Sequence, residues 1–315
     1  MKKILIIRFS SLGDIILSFP LVNALKKEYP ECEIHFLTKE AYEPLIKLNP
    51  KVSKIFLYRG QPLGELKNEI KNENYDLVLD IHKNFRSKLV TSFAGLNVKR
   101  YKKDSFKKFL LVKFKINLFK KIIPVYLKYI NSFGTDFGDK YSDFTSTELH
   151  FEKQRRFDFN YIVLAPSSKH FTKTYPKEKY AELVKKLSYK VILIGDNTET
   201  DLAICNYLNE QTGSVDLCGK LNYPELANII YNSEFVITND SAIMHFAEAL
   251  GKKVKAFFGS TVKEFGFFPQ LKNSIVLENN NLKCRPCTHI GLPACPLGHF
   301  KCMNEIKADK INFLN

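Results

Sequence analysis

Residues 8–20 read RFSSLGDIILSFP. An apolar run, KILIIR (Lys3–Arg8), feeds into this stretch, and after it apolar side chains recur at helical spacing: Ile15, Ile16, Phe19, Leu21, Val22 and Leu25. A strand, a tight turn with one glycine and then a helix is the layout that often holds phosphate on helix N-terminal amides. Here the helix opens with an acid, Asp14. The helix dipole favours a first-turn carboxylate by about 0.3–1 kcal/mol. One reading of Asp14 is that dipole effect alone. The other is a carboxylate exposed at a sheet edge, where Ser10, Ser11 and Gly13 let the backbone turn tightly. A carboxylate held there takes a proton from a hydroxyl, which contributes roughly 10²–10⁴ in rate. It also repels a phosphate laid against it. On this second reading the first half of the chain hosts a hydroxyl-bearing acceptor, and phosphate binds elsewhere.

Outward from this turn, strands and helices alternate. Strands are expected at Lys3–Arg8, Glu33–Thr38, Lys54–Leu57, Leu77–Asp80 and Val98–Tyr101, with helices at Asp14–Glu28, Ala41–Leu48, Leu63–Asn72 and Phe85–Ala94. This is the rhythm of a parallel, doubly wound sheet. Residues 99–133 break it with a run rich in Lys and Arg, and a polar stretch, Gly134–Gln154, is expected to be an interdomain linker. The alternation then restarts. Strands are expected at Tyr161–Ala165, Lys190–Ile194, Phe235–Thr238 and Lys253–Phe258, and helices at Lys177–Leu187, Glu199–Asn209, Pro224–Tyr231 and Ala242–Leu250. The expected architecture is α/β, two Rossmann-like domains over residues 1–150 and 151–315, facing across a cleft with ligands at the carboxyl ends of both sheets.

The bulk numbers agree with that scale. The 315 residues suit two domains of about 150 each. Hydrophobic content is 45% and aromatic content 13%, enough for a packed core. No secretory signal or span of ~18 apolar residues is evident, so a cytoplasmic protein is expected. The formal net charge of +15 favours anionic partners without saying which.

Phosphate-binding chemistry collects in the second half. Leu164–Ser168 ends a strand, and Lys169, His170, Thr172 and Lys173 follow before Pro176. Ser167, Ser168 and Lys173 suit a diphosphate, and a charge-assisted bond there is worth ~1.5–3 kcal/mol. The bland alternative is a solvated basic loop. Residues 238–251 read TNDSAIMHFAEALG. Asn239, Asp240 and Ser241 can cap the helix that follows, whose first-turn amides can receive phosphate oxygens. Taken singly, Asp240 reads as a cap and His245 as a structural histidine.

Together, RFSSLGD, the Ser167–Ser168…Lys173…Pro176 segment, TNDSAIMHFAEALG and FFGST (257–261), in this order and spacing, resemble glycosyltransferase family 9, the ADP-heptose:lipopolysaccharide heptosyltransferases. The resemblance runs over nearly the whole chain. It implies the GT-B fold, with the acceptor on the N-terminal domain and the nucleotide sugar on the C-terminal one. It implies an inverting transfer of heptose from ADP-heptose to the inner core of lipopolysaccharide, on Kdo-lipid A or a heptosylated acceptor. Asp14 is then the general base. Ser167, Ser168, Lys173, Asp240, Ser241, Ala242 and His245 fall on the donor site, and Glu199 on the nucleoside. Ala242 stands where the family commonly has Gly, and its methyl would crowd the closest amide–phosphate approach. No catalytic metal or other cofactor is implied.

The basic stretch has two readings. One is a solvated lysine-rich face. The other uses its interleaved apolar residues, among them Phe109, Phe114, Ile116 and Leu118, to meet an anionic inner-membrane surface peripherally. On that reading Arg100, Lys102 and Lys103, with Ser10, Ser11 and Gly13, meet the acceptor. Cys284, Cys287, Cys295 and Cys302 form C-x2-C-x7-C-x6-C, a spacing that fits zinc or packed free thiols, while Cys32, Cys205 and Cys218 read as scattered buried thiols. Two rival functions remain open here. One is a related transferase using another nucleotide sugar for a surface glycan. The other is a basic nucleic-acid-binding protein, although no helix-turn-helix, RRM or zinc-finger spacing supports a nucleic-acid partner.

Overall fold

The computed structural model describes residues 1–92, 96–144 and 147–307. Each half of the chain builds one parallel sheet. The first contains β1 (Lys3–Ile7), β2 (Glu33–Lys39), β3 (Lys54–Tyr58), β4 (Leu77–Asp80) and β5 (Val98–Arg100), in the order β3-β2-β1-β4-β5. β1 is central because it has no polar face: Ile4, Leu5, Ile6 and Ile7 are all fully buried. A continuous apolar strand of this kind suits a parallel sheet covered on both faces. Leu5 and Ile7 pack with Leu37, Phe56, Leu66 and Val78 in one core.

The second sheet contains β6 (Tyr161–Ala165), β7 (Lys190–Leu193), β8 (Val215–Asp216), β9 (Val236–Asn239), β10 (Val254–Phe258) and β11 (Ile275–Glu278), in the order β11-β10-β9-β6-β7-β8. Its core joins Ile162, Leu164, Tyr175, Tyr180, Ile237 and Phe257. In both sheets the chain winds outward on one side of the first strand, then restarts on the other. The direction switches between β1 and β4 and between β6 and β9. Ligands of open α/β sheets bind at such switch points, outside the carboxyl ends of the strands.

The local departures from expectation have physical causes. The helix expected over Asp14–Glu28 is two helices, Leu12–Ile16 and Phe19–Glu28. Pro20 lacks an N–H and is tolerated only in a first turn, so a new helix starts around it. Pro44 likewise splits Ala41–Leu48 into a 3-10 turn, Glu40–Tyr42, and the helix Glu43–Ile46. The helix expected over Phe85–Ala94 spans Phe85–Val90, and Ala94 lies outside the described residues. β8, two residues long, is too short to show a period, and β11 lies at the sheet edge with only Leu277 buried.

The chain divides into two compact units: Met1–Lys103 with Ile123–Phe151, and Asp104–Ile122 with the chain from Glu152 onward. The helix Ser105–Phe114 therefore belongs with the second unit. Lys115 Nζ donates there to the carbonyls of Cys284 (3.0 Å) and Pro286 (2.6 Å). The polar stretch Gly134–Gln154 carries a helix, Thr135–Lys140, and Lys140 Nζ lies 2.6 Å from Glu28 Oε2 in the first unit. Among the described residues no helix is long and apolar enough to cross a membrane.

Candidate active site

In the first unit, β1 delivers Arg8 and the Ser10–Gly13 turn to the switch point. Asp14 is the third residue of the short helix Leu12–Ile16. Its Oδ2 accepts from Ser11 Oγ at 3.0 Å and lies 2.6 Å from Arg8 Nη2. Its Oδ1 accepts from Tyr129 Oη at 2.9 Å. Burial works against the charged form, but the Arg8 guanidinium and the hydrogen bonds from Tyr129 and Ser11 outweigh it. The carboxyl is held below the usual range. Asp14 is thus in its basic form at neutral pH, and its side chain keeps 15% of its surface exposed.

Several partners of this carboxylate carry no sequence signature. Tyr129 is fully buried on the helix Val125–Ile130 and meets the Tyr101 ring edge-on at 5.1 Å. His82 follows β4, and its ring stands edge-on to Phe9 at 5.4 Å. Burial, together with the charges of Arg8 and Lys103, pushes the imidazole down to about 4. It is therefore neutral at pH 7, and its buried Nδ1 has no hydrogen-bond partner among the described residues.

The expected acceptor cations divide. Arg100 is engaged by Asp80 Oδ2 at 3.1 Å and Thr91 Oγ1 at 2.8 Å, where it braces the loop after β4. Lys102 is exposed. Lys103 donates to the Lys83 carbonyl at 3.0 Å, and burial lowers the pKa of its amine. Ser10 is half-buried, Gly13 is buried, and Ser11 is exposed with its hydroxyl committed to Asp14.

In the second unit, the expected donor residues gather at the carboxyl ends of β6, β9 and β10. Lys173 Nζ lies 2.8 Å from Asp240 Oδ2, and Thr261 Oγ1 donates to the same oxygen at 2.6 Å. Asp240 is only 4% exposed, so this pairing is what makes its burial tolerable. Ser241 precedes the helix Ala242–Ala249, and its hydroxyl bonds Thr238 Oγ1 at 3.0 Å instead of capping the helix. Ala242 opens that helix and His245 is buried within it. Ser167 is buried and Ser168 half-buried.

Asn239 ties the site together. Its Oδ1 accepts from Tyr175 N (2.9 Å) and Tyr180 Oη (3.0 Å), and its Nδ2 donates to the carbonyls of Pro166 (2.9 Å) and Ser167 (3.3 Å). Thr172 bonds Ser260 Oγ at 2.9 Å. The FFGST segment therefore contributes Ser260 and Thr261 directly to the site, a role its place at a strand end could have signalled. Glu199 stands exposed at the carboxyl end of the neighbouring β7, in the first turn of the helix Glu199–Thr212.

The soft metal ligands sort differently from their spacing. Burial raises the thiols of Cys287 and Cys302, with smaller contributions from the other C-terminal cysteines. The C-terminal four thus share a neighbourhood. Among the described residues, however, the group of three whose ligand atoms all lie within 4.8 Å of one another is Cys205, Asp216 and Cys218.

Comparison with known proteins gives the family. The family model for glycosyltransferase family 9 (heptosyltransferase) matches residues 63–296, well over half of the chain. The chain belongs to glycosyltransferase family 9. This family 9 protein is 28% identical over 295 residues to lipooligosaccharide heptosyltransferase 2 of Haemophilus influenzae, covering 84% of this chain and 85% of that one. Among solved structures it is similar to the ADP-heptose lps heptosyltransferase II of Escherichia coli, with a TM-score of 0.70, 21% identity and coverage of 97% and 98%. It is also similar to TibC of enterotoxigenic Escherichia coli, with a TM-score of 0.62, 15% identity and coverage of 99% and 74%. TibC is described as an iron-containing dodecameric glycosyltransferase, so freedom from metal is not general among the fold's members. This chain is a glycosyltransferase with the GT-B fold.

Proposed function

We propose that this family 9 glycosyltransferase moves heptose from ADP-heptose to a hydroxyl of the lipopolysaccharide inner core, on Kdo-lipid A or an already heptosylated acceptor. The transfer is a single displacement with inversion. The acceptor O–H proton passes to Asp14. The acceptor oxygen bonds to the anomeric carbon as the bond from that carbon to the ADP oxygen breaks, and the electron pair leaves on the diphosphate. Lys173 and the first amides of the helix Ala242–Ala249 stabilise the departing charge, the electrostatic share of catalysis. Ser167, Ser168, Asp240, Ser241 and His245 shape the donor site and Glu199 meets the nucleoside. Ser10, Ser11, Gly13, Arg100, Lys102 and Lys103 shape the acceptor side, with Arg100 acting through the loop it braces. No step uses a metal.

The observation that carries this reading is the chemical contrast between the two switch points. One holds an ionised, partly exposed carboxylate braced by Arg8, and the other a lysine, paired with the buried Asp240, at a helix N-terminus. The test is sugar transfer from ADP-heptose to both acceptors, wild type beside Asp14→Asn, with chelator present. Transfer by wild type and a loss of about 10² or more in the variant support the reading. Equal transfer by both proteins removes Asp14 from the chemistry. Transfer only from a different nucleotide sugar moves the enzyme to another surface glycan.

The same acceptor implies work at the cytoplasmic face of a membrane. Phe106, Phe109, Phe114, Ile116 and Leu118 are exposed at 69%, 55%, 58%, 50% and 44%, in a segment dense in lysine. Apolar side chains flanked by cations suit peripheral contact with an anionic bilayer. Cosedimentation with vesicles should rise with anionic lipid content and fall in Phe106→Ser/Phe109→Ser. Indifference to lipid charge refutes the contact.

A further inference from the structure

Two buried thiols of the second unit have no part in the site described above. Cys205 lies on the helix Glu199–Thr212, and Cys218 follows β8 in the segment Asp216-Leu217-Cys218. Nothing in their spacing marks a site. The fold nevertheless brings both sulfurs and an Asp216 carboxylate oxygen within 4.8 Å of one another. Cys205 is 0% and Cys218 1% exposed, while Asp216 is half-buried and opens the group toward solvent.

The surroundings hold these donors in place. Asp216 Oδ1 accepts the backbone N–H of Cys218 at 2.9 Å. Gly219 N donates to the Gly195 carbonyl at 3.1 Å, and Cys218 Sγ faces the Asp196 carbonyl at 3.5 Å. A Cβ on Gly195 would stand 2.6 Å from Cys218 Sγ and 3.2 Å from Asp201 Oδ2. Glycine at 195 thus lets Cys218 Sγ pack against the backbone there, while Asp201 Oδ2 accepts the Asp196 N–H at 2.8 Å.

A buried free cysteine behaves as a small apolar residue. Here two of them adjoin a half-buried carboxylate whose Oδ2 lies 3.8 Å from the exposed Lys220 Nζ, an ammonium that a bound cation would displace. Two thiols with one carboxylate are a donor set for a borderline-soft divalent ion. We propose that Cys205, Cys218 and Asp216 bind a thiophilic divalent cation of the zinc class, with a water completing a tetrahedron. Binding exchanges two S–H bonds for two sulfur–metal bonds and releases two protons to solvent. Metal–ligand distances of about 2.0–2.3 Å ask the donors to draw together by roughly an ångström. The bound ion is structural. It fastens the loops after β7 and β8 to the helix that begins at Glu199, and it takes no part in sugar transfer.

The test is titration of reduced, chelator-stripped, full-length protein with Cd(II) and with Co(II) under anaerobic conditions. Saturable uptake with a sulfur-to-metal charge-transfer band is expected. The band should be lost in Cys205→Ser and Cys218→Ser and should persist in Cys284→Ser/Cys287→Ser. Asp216→Asn keeps both thiols and should weaken uptake about tenfold or more. Metal should raise the thermal midpoint of the wild type by mass action, and not that of a folded Cys218→Ser variant. A band that survives Cys218→Ser and disappears in Cys284→Ser/Cys287→Ser overturns the proposal by assigning the ion to the C-terminal thiols. Absence of uptake by reduced wild type, or a Cys205–Cys218 disulfide in air with no uptake after reduction, overturns it as well.

Discussion

Replacing Tyr129 by Phe removes one hydroxyl from a fully buried ring and with it the 2.9 Å hydrogen bond to Asp14 Oδ1. A hydrogen bond to a charged group is worth about 1.5–3 kcal/mol. At 1.36 kcal/mol per unit, that corresponds to about one to two units of carboxyl pKa. The bond favours the ionised form, so its loss moves Asp14 upward. Arg8 at 2.6 Å and Ser11 at 3.0 Å remain, which places the expected shift nearer one unit. The assay is kcat/KM against pH. In the proposed mechanism Asp14 acts as base only when ionised, so the acid limb should move to higher pH by about one unit while the rate at neutral pH changes little. Stability carries the same sign. The folded-state pKa of Asp14 is depressed, so its contribution is present above the unfolded value of about 3.9 and is lost as pH falls through the folded one. The stability gap between wild type and Tyr129→Phe should therefore be widest near neutrality and should close in acid. An acid limb that stays in place, or moves down, refutes the role given to Tyr129 and to Asp14 together.

Two further outcomes follow from the second unit. Lys173→Ala removes the cation paired with Asp240 and, in the proposed mechanism, facing the departing diphosphate. It should lower kcat/KM for the nucleotide sugar by roughly ten- to a hundredfold, from about 1.5–3 kcal/mol, and unchanged donor kinetics would remove Lys173 from the site. Gly259→Ala would place a Cβ 2.6 Å from the Thr172 carbonyl oxygen and 2.8 Å from Met303 Cε. Overpacking of this kind costs about 1–3 kcal/mol. Thermal melting should show a drop of about 2–4 °C per kcal/mol, and an unchanged midpoint would mean that the backbone yields there.

Much of the fold is visible in apolar runs. β1, β4 and β6 announce themselves because each is buried on both faces, so every position is apolar or nearly so. Helix boundaries are less visible, because Pro20 and Pro44 divide segments whose apolar spacing alone reads as continuous. Asp14 is legible because a first-turn acid in a tight strand–helix turn is chemically out of place for phosphate. Asp240 is legible as a polar residue at a strand end and Lys173 as a cation in the loop after another, but their 2.8 Å pairing is not.

By itself, then, the sequence determined the two parallel α/β halves and marked the Asp14 carboxylate of the first and the loop and strand-end polar groups of the second as candidates, because burial period and strand-end chemistry are local properties. Tertiary structure alone decided which distant side chains complete each site. Tyr129 reaches Asp14 from across the first unit, and Arg100 is drawn to Asp80 and Thr91. Thr261 joins Lys173 on one buried carboxylate, and Cys205 meets Cys218 and Asp216. The segment 104–122 packs with the second unit although the chain has not yet left the first. The reason is physical: hydrogen bonds, ion pairs and metal-ligand geometry act over a few ångströms in space, and only the winding of the sheets sets which residues arrive within that distance.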